Sequence, residues 1–253
     1  MIPLKDRKFG WVRDTFDPRD FTYQPKFRLF RLPKIVDLRD KMPPIYDQRT
    51  SSSCTSHAWL AIVQHRRLAQ GNDAFMPSRL FHYWTERVEE GTTREDKGAM
   101  IRTGIKVLVK YGVCHEDSWL FDLRNLYTPP SQKCYSEALG LQALEYERIE
   151  QKEFDLLSSL ADGHPFVMGI KVYESFMSDE VADTGAAYIP KEKEHLYGGH
   201  AIVVVGYNKD NKTFLCRNSW GKSFGMNGYF SLPFDYVLSP KLSSDMWKLT
   251  KTE

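Results

Sequence analysis

Apolar residues change their period near the middle of the chain. From Cys54 the run "CTSHAWLAIVQHRRLAQG" places Ala58, Ala61, Ile62 and Leu68 on one helical stripe, and Trp59 to Val63 are apolar without a break. This predicts a helix apolar nearly all round at the centre of the protein, capped at Ser52 or Ser53, with Arg66 and Arg67 in its last turn and Gly71 at its end. "PSRLFHYWTERVEE" and "AMIRTGIKVLVKYG" predict two more helices, the second with Ile101, Ile105, Leu108 and Val109 on one side ahead of Gly112. After a further helical segment, "QKEFDLLSSLADG", the character shifts to "PFVMGIKVY", "HAIVVVGYN", "KTFLCRN" and "GYFSL". These are short runs of β-branched and aromatic residues between turn residues, and they read as strands.

Helices grouped ahead of strands predict an α+β protein of two lobes with a cleft between them. The first residues follow neither period and hold more Lys and Arg than Asp and Glu, so 1–32 is expected to be an N-terminal arm. The folded body is expected over 33–253, with the helical lobe mainly at 45–140 and the β lobe mainly at 141–240.

Composition excludes several classes of function. A chain of 253 residues with 42% hydrophobic and 13% aromatic content can bury a large core. Its 35 basic and 33 acidic residues, net charge +2, give no basic field for nucleic acid. No apolar run reaches the roughly 20 residues that span a bilayer, and "MIPLKDRKFGWVRD" has charges where a secretory signal has its apolar centre. The expectation is a monomer with no nucleic-acid or membrane partner, compatible with the cytoplasm. Cys54, Cys114, Cys134 and Cys216 are too few and scattered for a disulfide framework and form no C-x-x-C pair. A Cys114–Cys134 bond stays open, and no metal or cofactor is expected.

The chemistry starts at "DQRTSSSCTSHA", Asp47 to Ala58. A thiol attacks as its thiolate, which the positive end of a helix and a nearby imidazolium both favour. Cys54 stands at a predicted helix start. Of the seven histidines, His57 and His65 lie on that same buried helix, and His82, His115, His164 and His195 lack a sequence neighbour that suggests catalysis. His200 differs, because it opens a predictable hairpin: "AIVVVGY" runs out, "NKDN" turns, and "KTFLCR" returns to Asn218. The Asn218 oxygen can then hold one ring nitrogen's proton so that the other nitrogen faces the thiol, and Trp220 can cover that bond.

Gln48, Cys54, His200 and then Asn218 in "NSWGKSFGMNGYF" resemble, in order and in the Cys-to-His separation, the papain family of cysteine peptidases. "LPKIVDLRDKMPPIYDQ", "KGAMIRTGIKVLVKYGV" and "HPFVMGIKVYESF" resemble that family's opening, third helical region and first strand of the β lobe, so the resemblance runs from about Pro33 to the end. It implies a papain-like two-lobe fold, helical lobe plus antiparallel β-barrel-like lobe. It further implies an endopeptidase acting on peptides or proteins, with Cys54 as nucleophile, His200 as acid and base, Asn218 as orienter, and Gln48 in the oxyanion hole. Gly98 and Ala99 would present backbone to an extended substrate, with Met100 and Ile101 lining a pocket for the second residue before the cut, and Gly199 and Trp220 flanking the site.

The chain also departs from the family. Thr55 follows the nucleophile where tryptophan is usual, Ser51 replaces a half-cystine, and Gly199 offers no carboxylate before His200. The pattern "SCTSHA" looks more like papain-like peptidases of bacteria, archaea or large viruses. The arm is shorter than the family's inhibitory pro-domains. Its aromatic stretch "FGWVRDTFDPRDFTYQP" is expected either to lie along the cleft and restrain activity or to pack outside the β lobe. Rival functions are a papain-fold deamidase, transglutaminase or isopeptidase, and an inactive binding protein.

Overall fold

The computed structural model describes residues 2–25, 32–72 and 75–253. Residues 1 and 26–31 of the expected arm lie outside the described residues. The arm begins with a short 3₁₀ turn at Leu4–Asp6, runs extended through β1 (Trp11–Val12), and is followed by β2 (Ile35–Asp37). The helical part holds α1 (Cys54–Ala69), α2 (Arg79–Glu90), β3 (Ala99–Met100), α3 (Ile101–Lys110) and α4 (Gln132–Ala138). Then come β4 (Ala143–Arg148), α5 (Glu153–Ala161), β5 (Phe166–Tyr173), α6 (Asp179–Thr184), β6 (Leu196–Asn208) and β7 (Thr213–Arg217). The chain closes with β8 (Tyr229–Pro233), α7 (Phe234–Leu238) and β9 (Ser243–Thr252).

Each helix read from the sequence forms where its period predicts, and α1 is the axis of the molecule. Cys54 to His65 are all buried on it. It lies against β5, β6 and β9 on one side and against α2 and α3 on the other. Trp59 reaches from α1 to the start of α3, where its indole N–H donates to the Ile101 carbonyl at 2.8 Å. Gly104 makes this possible, since a Cβ there would lie 2.5 Å from the indole. The expected hydroxyl cap is absent: Ser53 is the N-cap but makes no capping bond, its Oγ bonding Ser51 Oγ and His57 Nδ1 instead. The start of α1 therefore has no hydroxyl cap from Ser53.

The β lobe is an open sheet and not a barrel. Its strands run in the order β4-β9-β5-β6-β7-β8, with β2 added beside the far end of β6. All these pairs are antiparallel. Each end strand is covered by other chain, which protects its edge. Arm residues Phe21 and Tyr23 exchange backbone hydrogen bonds with Arg148 on β4, and Ala186 bridges Ser231 on β8. The sheet also runs past the expected end at 240, because β9 inserts between β4 and β5.

The expected hairpin is β6 and β7, with Val203 opposite Arg217 and Asn208 opposite Thr213. Cys114 and Cys134 are free and buried, as are Cys54 and Cys216. Truncating the tie between α1 and α3, Trp59→Ala, should cost about 3–5 kcal/mol as a large buried cavity. The shift of the urea midpoint measures that loss.

Candidate active site

The start of α1 abuts β6 directly. The Ala201 N–H points at Cys54 Sγ from 3.4 Å, so the residue after His200 touches the thiol. His200 Nε2–H donates to Asn218 Oδ1 at 2.9 Å, and that oxygen also accepts the Ser219 N–H at 2.8 Å. The other ring nitrogen, Nδ1, has no hydrogen-bond partner among the described residues. Trp220 lies 4.9 Å from the imidazole, centroid to centroid, at 31°, and covers the His200–Asn218 bond. Gln48 is fixed from several directions. Its backbone N–H donates to the Ser219 carbonyl at 2.9 Å, and its Oε1 accepts the Ser219 hydroxyl at 2.7 Å. Its Nε2 donates to the carbonyls of Ser51 at 2.7 Å and Lys8 at 3.1 Å. Cys54, Gln48, His200, Asn218 and Trp220, read from distant stretches of sequence, thus converge on one spot and are buried there.

The arm lies over them in the cleft. Arg7, itself buried, pairs with Asp47 and donates to the Trp220 carbonyl at 2.8 Å. Phe9 presents its ring at 90° to His200, 6.4 Å away, and at 72° to Trp220. The Gly10 carbonyl accepts the Ala99 N–H at 2.8 Å, and β1 pairs with β3 in parallel, Trp11 opposite Ala99 and Val12 opposite Met100. Only glycine fits at 10, since a Cβ would fall 1.7 Å from the Ser52 carbonyl oxygen. Gly98, whose N–H donates to the Tyr83 hydroxyl, packs against the Gly10 backbone, and Gly199 against Trp11. Met100 is half-buried, and Ile101 is fully buried at the start of α3. The space left beside His57, Ala201 and Asn218 is about 10 Å³, while a cavity of about 630 Å³ is lined by Tyr23, Arg66 and Glu147 among others.

Burial disfavours the charged form of both Cys54 and His200. It pushes the Cys54 thiol up to about 12, against the pull of N–H groups from Ala201, Gly10 and Thr55. It pulls the His200 imidazole down to about 4, with Asn218 opposing and the Arg7 charge adding to the fall. Neither value describes a thiolate–imidazolium pair.

Further along, the arm is anchored by charge. Asp14 accepts the Arg102 backbone N–H at 3.0 Å and the Trp247 indole N–H at 2.7 Å, and its own N–H donates to Asp245. Arg102 pairs with Asp17 and Asp20 of the arm, and Arg148 stands 3.7 Å from Asp20. Sequence reading missed Arg7, Phe9, Trp11 and Asp14 as individual residues of the site, because an extended arm carries no period.

A cysteine at a helix start, a histidine on a strand, an asparagine just past the end of the adjoining strand and a glutamine amide beside them define a papain-type thiol site. The papain family cysteine protease model matches residues 32–237. An uncharacterized peptidase C1-like protein of Acanthamoeba polyphaga mimivirus is 39% identical over 95% of this chain and 86% of its own. The structure of Xylellain, a cysteine protease from Xylella fastidiosa, superposes with a TM-score of 0.91 at 37% identity, covering 98% of this chain and 97% of that one. A procathepsin B of Trypanosoma congolense shares the fold at a TM-score of 0.74 and 17% identity, over 98% of this chain and 88% of its own. The chain belongs to the papain family of cysteine proteases, and with it to the hydrolases that act on peptides or proteins. No helix among the described residues is long and apolar enough to cross a membrane.

The docked arm should respond to pH through Asp14. Burial, and next the Asp245 charge, raise its carboxyl to about 7 from an ordinary 3.8. A carboxyl raised by docking favours the docked state when protonated, so its contribution is full below about 4 and is lost as pH rises through about 7. His200, depressed by docking, acts in the opposite sense, so comparison with Asp14→Asn isolates the carboxyl. Amide hydrogen exchange, corrected for intrinsic rate, should show wild type losing protection over Trp11–Asp14 between about pH 4 and 7 relative to Asp14→Asn. Parallel profiles would mean Asp14 titrates identically in docked and free arm.

Proposed function

We propose that the chain is a cysteine endopeptidase whose own arm holds it latent, with Cys54 as nucleophile, His200 as acid and base, Asn218 as orienter and Gln48 as oxyanion donor. The observation that carries this reading is that a polypeptide backbone already lies across Cys54, with its Lys8 carbonyl on the Gln48 amide and its Gly10 carbonyl on Ala99. The cleft is built to receive peptide, and Gln48 to receive a carbonyl oxygen.

Once the arm leaves, water reaches the site and the penalty on charge falls. The uncapped end of α1 then favours the Cys54 thiolate and Asn218 steadies the His200 imidazolium. The thiolate attacks the peptide carbonyl carbon. The resulting oxyanion takes hydrogen bonds from Gln48 Nε2 and the Cys54 backbone N–H. His200 passes its proton to the leaving amine, and it then draws a proton from the water that releases the acyl group from sulfur.

The arm avoids this fate by running the wrong way. A substrate whose residues before the cut pair with Ala99, and whose residues after it pass Trp220, travels from Ala99 toward Trp220. The arm passes Arg7 and Phe9 at Trp220 first and reaches Ala99 at Gly10 and Trp11. Reversed polarity turns its carbonyls and amides away from the order that attack and departure require.

Intact mass after incubation with a peptidyl epoxide tests the assignment. One adduct, absent in Cys54→Ala, is expected, and Gly10→Val should form it at least about tenfold faster, because its side chain cannot fit against Ser52. Gln48→Ala should lower kcat by about 100-fold or more, as loss of one oxyanion donor does. Failure of Cys54 to react in any form, including Gly10→Val, would remove the peptidase assignment.

A further inference from the structure

Asn218 is held at one end of its amide only. Its Oδ1 accepts from the His200 Nε2–H and from the Ser219 N–H, so both lone pairs of that oxygen are taken. Its Nδ2 is buried and has no hydrogen-bond partner among the described residues. A second buried nitrogen in the same neighbourhood has the opposite need. His57 lies one turn along α1 from Cys54, 1% exposed, and its Nδ1–H donates to the Ser53 carbonyl at 2.9 Å. In a neutral ring that bond fixes the tautomer and leaves Nε2 a bare acceptor. This Nε2 is also buried and without a partner among the described residues. The ring is neutral because burial, and next the Arg79 charge, pull it well below its ordinary 6.5, with Arg217 and His200 adding to the fall and the Ser53 carbonyl opposing. It is also fixed in place, edge-on to Phe121 at 4.8 Å and 82° and to Tyr46 at 6.0 Å and 75°.

His57 and Asn218 line one space, the cavity of about 10 Å³ behind the His200–Asn218 bond. The other polar side chains on its walls are already engaged. Arg217 donates to the carbonyls of Pro43 and Pro44, the Tyr46 hydroxyl to Gln64 Oε1, and the Ser219 hydroxyl to Gln48 Oε1. The cavity therefore joins a donor that needs an acceptor to an acceptor that needs a donor. A buried water does both, given at least two polar partners and a space of about 10–15 Å³. We propose that one buried water fills this cavity, accepting from Asn218 Nδ2–H and donating to His57 Nε2, and that His57 is through it a positioning residue for Asn218.

The water completes a chain of bonds from the Ser53 carbonyl through His57 and Asn218 to His200, so the start of α1 and the end of β7 are tied behind the reactive groups as well as in front of them. With both ends of the amide held, its plane is set and Oδ1 stays on the His200 N–H. Held at Oδ1 alone, the amide can turn about its last side-chain bond and tilt that oxygen off the ring. The proposal rests on the peptidase reading for what Asn218 does to His200, and not for the water.

Crystals of the full wild-type chain, at a resolution that shows single waters, test the site without calling on activity. One water within hydrogen-bond distance of both His57 Nε2 and Asn218 Nδ2 is expected. A dry cavity, or a direct bond between the two nitrogens, would overturn the proposal. The role is read from alkylation by the peptidyl epoxide in the Gly10→Val chain, as a maximal rate and a half-saturating concentration. His57→Phe keeps most of the bulk and deletes the acceptor. It should lower the maximal rate about tenfold, as loss of one buried hydrogen bond does, and leave half-saturation unchanged. In a chain that also carries Asn218→Ala, the same change should cost less than about twofold, because the group it acts on is gone. Equal losses in the two backgrounds would overturn the positioning role, since packing, or the lost bond to Ser53, acts whether or not Asn218 is present. If His57→Phe does not fold, the wild-type crystals still decide the site. No alkylation of any chain with the water in place would remove the peptidase reading and leave the site, whereas alkylation of Cys54 with a dry cavity removes the site alone.

Discussion

The N-terminus of α1 and strand β6 meet so closely that a backbone N–H of one points at a side-chain sulfur of the other, 3.4 Å away. Much of the rest of the fold keeps that contact. The apolar run of α1 buries the helix between α2, α3 and the sheet, which fixes its axis. The return of β7 beside β6 sets Asn218 behind His200, and Ser219 reaches across to hold Gln48 by backbone and side chain. Thus the glutamine, the cysteine and the histidine come from two lobes but are tied to one another by hydrogen bonds and not only by packing.

The same closeness makes the site easy to shut. Its backbone-lined walls at Ser52, Gly98 and Gly199 leave a slot about one polypeptide wide, and Gly10 and Trp11 fill it. Exclusion of water then does as much as blockage. Burial pushes the Cys54 thiol up to about 12 and pulls the His200 imidazole down to about 4, and so disfavours the charged form of each. The groups that shut the site are therefore those that set its electrostatics, and one contact surface governs access and reactivity together.

Different parts of this arrangement were legible in sequence for different reasons. Cys54, His200 and Asn218 could be read because each stands at the edge of a periodic segment, the first before a helix and the others at the two ends of a hairpin. The open sheet could not be told from a barrel, because closure depends on what covers β4 and β8, and those covers come from residues 21–23 and 185–187, which have no strand pattern of their own. The arm's place in the cleft was one of two expectations that sequence left open, since a two-residue parallel pairing leaves no trace in hydropathy.

Tethering has a further consequence. The arm is joined to the body whose cleft it fills, so its occupancy is a unimolecular equilibrium with an effective concentration in the millimolar range or above, as for short linkers generally. Dilution leaves that equilibrium unchanged, and a peptide in solution must compete against this local concentration and not against the number of enzyme molecules present. On the reading proposed above, such latency would end through chemistry on the tether or a shift in the affinity of its contacts.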